Sequence, residues 1–100
     1  MAELWKELHL HALNYQTAQE KSETTYLIQF ASRIPKYTPG CACREHWLNW
    51  VKQNPPQFRN KEEYFAWTVR AHNNINKLLS KKEFTVEEAK EYYSNLNLPK

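Results

Sequence analysis

The chain has 100 residues, a formal net charge of +3 and 41% hydrophobic residues. This is the size of one small domain, and a single Gly with five Pro argues against an all-β fold and against disorder. The small positive charge permits an anionic ligand but does not by itself indicate nucleic acid. No apolar run is long enough to span a membrane and no secretory signal pattern opens the sequence, so we expect a cytoplasmic protein.

Two amphipathic helices are predicted in the first third of the chain. Apolar residues recur at helical spacing in the first of them, over about residues 2–17: Leu4, Leu8, Ala12 and Tyr15. We expect Ser22 to cap the second helix and Pro35 to end it. Its apolar side carries Tyr26, Leu27, Phe30 and Ile34.

A third helix is expected from near Cys41 to about Gln53, between the Pro39-Gly40 turn and the Pro55-Pro56 pair. Its Trp47 and Trp50, with Phe30 of the second helix, are expected in the core or at a subunit interface.

Capping-box patterns begin two more helices. Asn60 followed by Glu63 predicts a helix over about 61–79, and Thr85 followed by Glu88 predicts a short one over about 86–95. No alternating strand pattern is present. The sequence therefore predicts an all-α fold, an antiparallel four-helix bundle with a short fifth helix, in one domain over residues 1–100.

The predicted fourth helix carries polar side chains beside its apolar stripe. His72, Asn73 and Asn76 are about one turn apart, so they project from neighbouring parts of one surface, and Lys77 and Lys81 add positive charge nearby. Amides, an imidazole and lysines beside aromatic residues suit a large planar ligand with phosphates. The alternative is a helix whose amides face water.

The two cysteines, Cys41 and Cys43, stand where a loop enters a helix. Free backbone N–H groups and the helix dipole favour a thiolate at such a position, and Arg44 and His46 act in the same direction. This pattern suits thiol–disulfide exchange. Two alternatives remain: the cysteines are small reduced hydrophobic residues, or they bind zinc together with His46 and a fourth ligand such as His72.

Three ordered segments resemble one known family. Residues 5–15 resemble the W-x-x-L-H-x-x-A-x-x-Y opening of the Erv/ALR family of FAD-linked sulfhydryl oxidases. Residues 43–46, followed by a Trp-rich helix, resemble the segment after that family's redox disulfide. Residues 67–81 resemble its W-x-x-x-x-H-N-x-V-N-x-x-L-x-K flavin signature. The compact length is most similar to that of the minimal viral members.

The resemblance implies an oxidase that converts two thiols and O2 into a disulfide and H2O2, with FAD held between the helices and no metal. It implies that Cys41 and Cys43 are the catalytic pair, with Cys43 nearer the flavin, and it brings Trp67 toward the cofactor region. The positions that it implies for cofactor binding are Trp5, His9, Tyr15, Cys43, His46, His72, Asn73, Asn76, Lys77, Lys81 and Tyr93.

The cysteine spacing departs from the family pattern. The pair here is Cys-x-Cys in place of C-x-x-C, whose first cysteine would fall on Gly40. The additional shuttle cysteines of many members are absent, which implies that a protein dithiol or a thioredoxin-like partner must reach Cys41 directly. Family members are commonly homodimers, and if this chain is viral we expect it in the host cytoplasm or the virion.

Two other function classes compete with the oxidase. One is a flavin-binding or helical interaction module that has lost oxidase activity through the altered spacing. The other is a small basic module that binds nucleic acid. The positive charges alternate with acidic ones rather than forming a stripe, so we expect no nucleic-acid partner.

Overall fold

The computed structural model describes residues 2–37, 39 and 41–96. Their regular elements are helices: α1 (Ala2–Leu13), α2 (Glu20–Arg33), α3 (Cys43–Gln53), α4 (Lys61–Leu78) and α5 (Val86–Leu96), with a 3₁₀ turn at Thr17–Gln19. The predicted all-α fold with four helices and a short fifth is confirmed. Gly40 of the predicted turn lies outside the described residues.

Helix α4 is the central element, because it packs against α1, α3 and α5, while α2 packs against α3. Side chains with almost no exposed surface fill the interior between them: Leu8, Phe30, Ile34, Trp47, Tyr64, Trp67 and Ile75. Burying side chains of this size contributes about 1.5–3 kcal/mol each, which makes this aromatic interior the main source of stability. No helix in the described ranges combines the length and the apolar character that a membrane crossing requires.

The connection between α1 and α2 differs from the prediction. Helix α1 ends at Leu13, and the following Tyr15 turns inward to donate a hydrogen bond to the carbonyl of Phe58 at 2.7 Å. Helix α2 begins at Glu20, so Ser22 is not its cap, and its hydroxyl donates to the carbonyl of Gln19 at 2.9 Å. The chain enters α2 through the 3₁₀ turn, which the sequence pattern did not indicate.

The predicted starts of α4 and α5 are confirmed. The side chain of Asn60 accepts a hydrogen bond from the backbone N–H of Glu63 at 2.8 Å. Thr85 and Glu88 each accept from the other's backbone N–H at 3.1 Å, which is a complete capping box. Two donors that an isolated helix end leaves unpaired are thereby satisfied at α5.

Helix α4 ends in a Schellman motif. The N–H of Lys81 donates to the carbonyl of Asn76 at 2.8 Å, and the N–H of Ser80 donates to that of Lys77 at 3.3 Å. Ser80 takes the left-handed position with φ of 56°, where glycine is usual. The motif reverses the chain so that Lys81 returns toward the end of α4.

The structure places Trp67 in the core, away from the cavities described below. Its ring is fully buried and lies 5.9 Å from that of Trp47, and its indole N–H donates to the carbonyl of Asn54 at 2.8 Å. Trp47 and Phe30 are buried as expected, whereas Trp50 is only partly buried.

Candidate functional site

Two cavities adjoin where α1, α4 and α5 meet. They share His72, Phe84, Tyr92 and Tyr93 in their walls. The first, of about 710 Å³, is also lined by His9, Val69, Asn73, Glu88, Ala89, Glu91 and Asn95. The second, of about 530 Å³, is also lined by Glu3, Trp5, Lys6, Ile75, Asn76, Leu79, Lys81 and Lys82. Each has the size of a small-molecule site.

A chain of hydrogen bonds crosses the interior to the cavity wall. Nδ1 of His9 lies 3.0 Å from the hydroxyl oxygen of Thr68, and Nε2 of His9 lies 3.1 Å from Nδ1 of His72. The Thr68 hydroxyl in turn donates to the carbonyl of Phe65 at 2.7 Å. A hydroxyl on a helix commonly bonds to a carbonyl one turn back, so α4 itself positions this oxygen.

Burial keeps both histidines neutral. It lowers the pKa of His9 to about 3, with a smaller contribution from the neighbouring His72. Burial also lowers the pKa of His72 to about 4, and the positive charge of Lys81 acts in the same direction. A neutral imidazole carries one N–H donor and one acceptor nitrogen, so each ring here can do both.

Aromatic rings hold the pair of histidines from either side. Trp5 stacks on His72, with ring centroids 4.2 Å apart and an angle of 12° between the planes. Tyr93 of α5 lies 4.6 Å from His9. Burial raises the pKa of Tyr93, so its hydroxyl stays protonated at neutral pH. The walls are therefore planar, largely apolar and uncharged at this point.

The second cavity adds positive charge and an unused donor. Lys6, Lys81 and Lys82 line it together with one acidic residue, Glu3. Nδ2 of Asn76 is buried and has no hydrogen-bond partner among the described residues. A buried donor without a partner costs about 1–3 kcal/mol, so this amide is suited to a ligand that supplies an acceptor.

Asn73 lines the first cavity, but its amide is already engaged. Its Nδ2 donates to the carbonyl of Phe84 at 2.7 Å, and its Oδ1 accepts from the N–H of Phe84 at 3.0 Å. This two-way pair fixes the connection between α4 and α5. Asn73 therefore holds Phe84 at the wall of both cavities, and its amide is not free for a ligand.

Seven of the residues predicted to bind a cofactor meet at the cavities: Trp5, His9, His72, Asn73, Asn76, Lys81 and Tyr93. Tyr15 does not, because its ring packs on Phe58 and Tyr64. His46 and Lys77 are exposed and line neither cavity.

The cysteines form a disulfide at the start of α3. In this disulfide the cysteines are oxidised rather than reduced hydrophobic residues, and the described residues hold no cluster of three or more potential metal ligands. Cys43 is fully buried and Cys41 is 6% exposed.

Neither cavity is lined by a cysteine. Aromatic rings connect the disulfide to the second cavity. Trp47 lies one turn after Cys43 on α3, its ring is 5.7 Å from that of Trp5, and Trp5 lines the second cavity.

Arg44 anchors the disulfide segment to the end of α2. Its guanidinium donates to the carbonyls of Ile34 at 2.8 Å and Ser32 at 2.6 Å, and its backbone N–H donates to that of Pro35 at 3.2 Å. Both side-chain bonds go to neutral backbone oxygens, so Arg44 links the start of α3 to the end of α2 and keeps its positive charge beside the cysteines.

One residue behind the cavity wall, Thr68, and one in the wall, Phe84, were not predicted. Thr68 has no sequence signal beyond its place one turn before His72, and Phe84 is an isolated aromatic residue in a polar connection. Their roles come from contacts with residues far away in the chain. The apolar spacing of Val86, Ala89 and Tyr93 on the predicted fifth helix was the one signal that could have indicated the wall formed by α5.

Comparison with known proteins gives a consistent result. The model of the Erv1 / Alr family matches residues 2–94. An FAD-linked sulfhydryl oxidase of African swine fever virus (isolate Pig/Kenya/KEN-50/1950) is 34% identical over 89 residues, which cover 89% of this chain and 75% of the viral protein. The mitochondrial FAD-linked sulfhydryl oxidase ERV1 of Saccharomyces cerevisiae is 32% identical over 83 residues, or 80% of this chain and 42% of the yeast protein. No solved structure matches this chain significantly.

Proposed function

The chain belongs to the Erv1/Alr family, and we infer from this membership that it is an FAD-linked sulfhydryl oxidase. Such an enzyme joins two substrate thiols in a disulfide and passes the two electrons to O2, which gives H2O2. One structural observation carries the inference: Cys41 and Cys43 form a disulfide at the start of α3. A thiol oxidase needs such an electron acceptor for its substrate.

The residues at the cavities fit FAD. The buried Nδ2 of Asn76 lacks an acceptor, and the second cavity carries Lys6, Lys81 and Lys82, whose charges suit a diphosphate. Trp5 and His72 form a stacked pair of planar rings at the second cavity, beside which a heterocycle can bind. We propose that Trp5, His72, Asn76, Lys81 and Tyr93 hold the cofactor, and that Asn73 acts by fixing Phe84.

The cofactor, when bound, supplies the two-electron chemistry with O2. The chain's own contribution is to accept electrons from substrate at the disulfide. A substrate thiolate attacks one sulfur, and a second substrate thiol completes the exchange and leaves both cysteines reduced. We propose that Cys41 is the sulfur attacked, because it retains 6% exposure whereas Cys43 is fully buried.

An absorption spectrum and a peroxide assay test the function. The purified protein should be yellow and should produce H2O2 from dithiothreitol. Cys43→Ser should keep the bound flavin and lose the activity. A yellow protein that produces no peroxide would support the alternative, a flavin-binding module without oxidase activity, and a colourless protein that takes up no FAD would contradict both.

A trapping experiment tests the assignment of the two sulfurs. We propose that the substrate is a protein dithiol or a thioredoxin-like partner. After reaction with a disulfide-activated substrate protein, Cys43→Ser should give a covalent complex through Cys41. Cys41→Ser, the matched control, should give much less because Cys43 is buried. Equal trapping by both variants would contradict the assignment.

We further propose a homodimer that uses α2. The proposal is supported by Ile28, which is 70% exposed on this helix and would be covered by a partner subunit. Ile28→Glu should shift the protein to the monomer in sedimentation velocity. Leu48→Glu on α3, where Leu48 is also exposed, is the matched control. A wild-type monomer at micromolar concentration would contradict the proposal.

The cytoplasmic location, or the virion for a viral chain, stays a prediction. Fractionation of expressing cells, with antibody detection in each fraction, would test it. Recovery in a membrane-bounded compartment would contradict it.

A further inference from the structure

The hydrogen-bond chain from Thr68 to the cavity has a direction that the geometry determines. The Thr68 hydroxyl has one hydrogen, and the short 2.7 Å contact with the carbonyl of Phe65 uses it, because a carbonyl can only accept. The oxygen of Thr68 is therefore an acceptor toward His9, and Nδ1 of His9 at 3.0 Å must carry the proton.

The same reasoning extends to the second histidine. His9 is 1% exposed and neutral, so a proton on Nδ1 leaves its Nε2 as an acceptor. Nδ1 of His72, 3.1 Å away, must then donate, and the remaining nitrogen of the neutral His72 ring is an acceptor. No described residue makes a hydrogen bond to that Nε2, and the ring lines both cavities.

We propose that Thr68 is a positioning residue that fixes, through His9, the proton of His72 on Nδ1, so that Nε2 of His72 is offered to the ligand as a hydrogen-bond acceptor. If the Thr68 hydroxyl pointed the other way, every bond in the chain would reverse and His72 would present an N–H instead. The hydrogen bond that the Thr68 hydroxyl donates to the carbonyl of Phe65 thus decides whether His72 presents an acceptor or a donor to the ligand.

The consequence is a defined pattern for the ligand. His72 and Asn76 stand one turn apart on α4 and both line the second cavity, one with an acceptor nitrogen and one with an unpaired N–H donor. A heterocycle edge with an N–H beside a carbonyl oxygen or ring nitrogen complements this pair. Both adenine and isoalloxazine have such an edge. The identity of the ligand therefore rests on the proposed function, whereas the direction of the hydrogen bonds from Thr68 to His72 does not.

The test is ¹⁵N NMR of the full chain, purified with its FAD and labelled at histidine, because the nitrogen shifts of a neutral imidazole distinguish its two tautomers. We expect His9 and His72 of the wild type to carry the proton on Nδ1. Thr68→Ser, which keeps the hydroxyl, should do the same. Thr68→Val, which has nearly the same shape without the hydroxyl, should lose the preference.

Cofactor affinity gives a second readout. Thr68→Val should bind FAD about tenfold more weakly, the effect of one hydrogen bond, and Thr68→Ser within about twofold of wild type. A proton on Nε2 of either histidine in the wild type would overturn the proposal, and so would unchanged tautomers in Thr68→Val. If Thr68→Val does not fold, the wild-type tautomers decide alone. A colourless wild type with both protons on Nδ1 would overturn the FAD assignment and leave this inference standing.

Discussion

The rings of Trp5 and His72 lie face to face, 4.2 Å apart and within 12° of parallel. Since stacked carbon atoms are already in contact at about 3.5–4.0 Å, no third ring fits between them. A planar ligand must therefore bind beside this pair or separate it. The contact joins α1 to α4 at the wall of the second cavity, so it links the packing of the bundle to the binding of the cofactor.

Replacing Trp5 should separate cofactor binding from stability. Trp5→Leu removes the ring that we propose lies beside the cofactor, an aromatic contact that would contribute about 0.5–1.5 kcal/mol, so FAD affinity should fall by up to about tenfold. Trp50→Leu is the matched control, because Trp50 packs on Trp67 in a part of the bundle that lines neither cavity. Fluorescence titration measures the affinity of each variant for FAD, and thermal unfolding measures its stability. An equal loss of affinity in the two variants would show that only general packing is involved.

Two lysines near the end of α4 should behave differently. Lys81 lines the second cavity, whereas Lys77 is exposed and lines neither. Lys81→Ala should weaken FAD binding by about ten- to a hundredfold, the effect of a charge-assisted hydrogen bond to phosphate. Lys77→Ala should stay within about twofold in the same titration. The assignment of Lys81 fails if the two variants bind FAD alike.

Stability should fall as the pH is lowered below about 6.5. In the folded chain the pKa is about 3 for His9 and about 4 for His72, because both are buried. In the unfolded chain both have ordinary values near 6.5, so between these limits the unfolded state binds more protons and acid favours it. At pH 5 the loss is about 2 kcal/mol for each histidine.

Thermal unfolding at pH 5 and pH 7.5 measures this effect. His72→Gln should reduce the difference between the unfolding temperatures at pH 5 and pH 7.5. His46→Gln, at an exposed position, is the control and should leave the difference unchanged. Unfolding temperatures that match at the two pH values in the wild type would contradict the prediction.

A glycine at position 80 should stabilise the protein. Ser80 has φ of 56° at the end of α4, a conformation that costs a residue with a Cβ atom but not glycine. Ser80→Gly should raise the free energy of unfolding by about 0.5–1 kcal/mol, measured by urea denaturation. Thr25→Gly, at an exposed position in the middle of α2, is the contrasting control and should lower it by about the same amount. A Ser80→Gly protein less stable than wild type would count against the Schellman geometry.

Removing the Asn73 amide should loosen the connection between α4 and α5. Asn73→Ala leaves the N–H and the carbonyl of Phe84 without their partner, at a cost of about 1 kcal/mol. The backbone amides of Phe84 and of the first turn of α5 should exchange faster with deuterium. Asn74→Ala is the neighbouring control, since Asn74 lines neither cavity. Unchanged exchange at Phe84 would refute the two-way bond.

The helices could be predicted closely because their signals are local. The starts of α4 and α5 follow from Asn60 and from Thr85 with Glu88, side chains that bond within three residues of themselves. The end of α1 could not be predicted in this way, because Tyr15 turns inward to donate a hydrogen bond to Phe58, 43 residues further along the chain. A periodic apolar pattern continues past such a point without a break.

The candidate site was predicted in part for the same reason. Spacing alone places His72 and Asn76 on one face of α4, and the family resemblance brought in Trp5, His9 and Tyr93. It also brought in Tyr15, His46 and Lys77, which line neither cavity. A motif reports which residue types stand at which positions, but it does not report which neighbouring helix covers each of them.

By itself the amino-acid sequence determined the all-α class, the caps of α4 and α5 and a neighbouring pair of cysteines at a helix start, since all of these depend on residues within one or two turns. Only the tertiary structure decided that Trp67 belongs to the core, that Asn73 holds Phe84 and that Thr68 sets the polarity of His72. The physical reason is that helical periodicity fixes the side of a helix on which a residue lies, whereas its hydrogen-bond partners and burial depend on the helices that pack there. The bond between His9 and Thr68, 59 residues apart, is the clearest case.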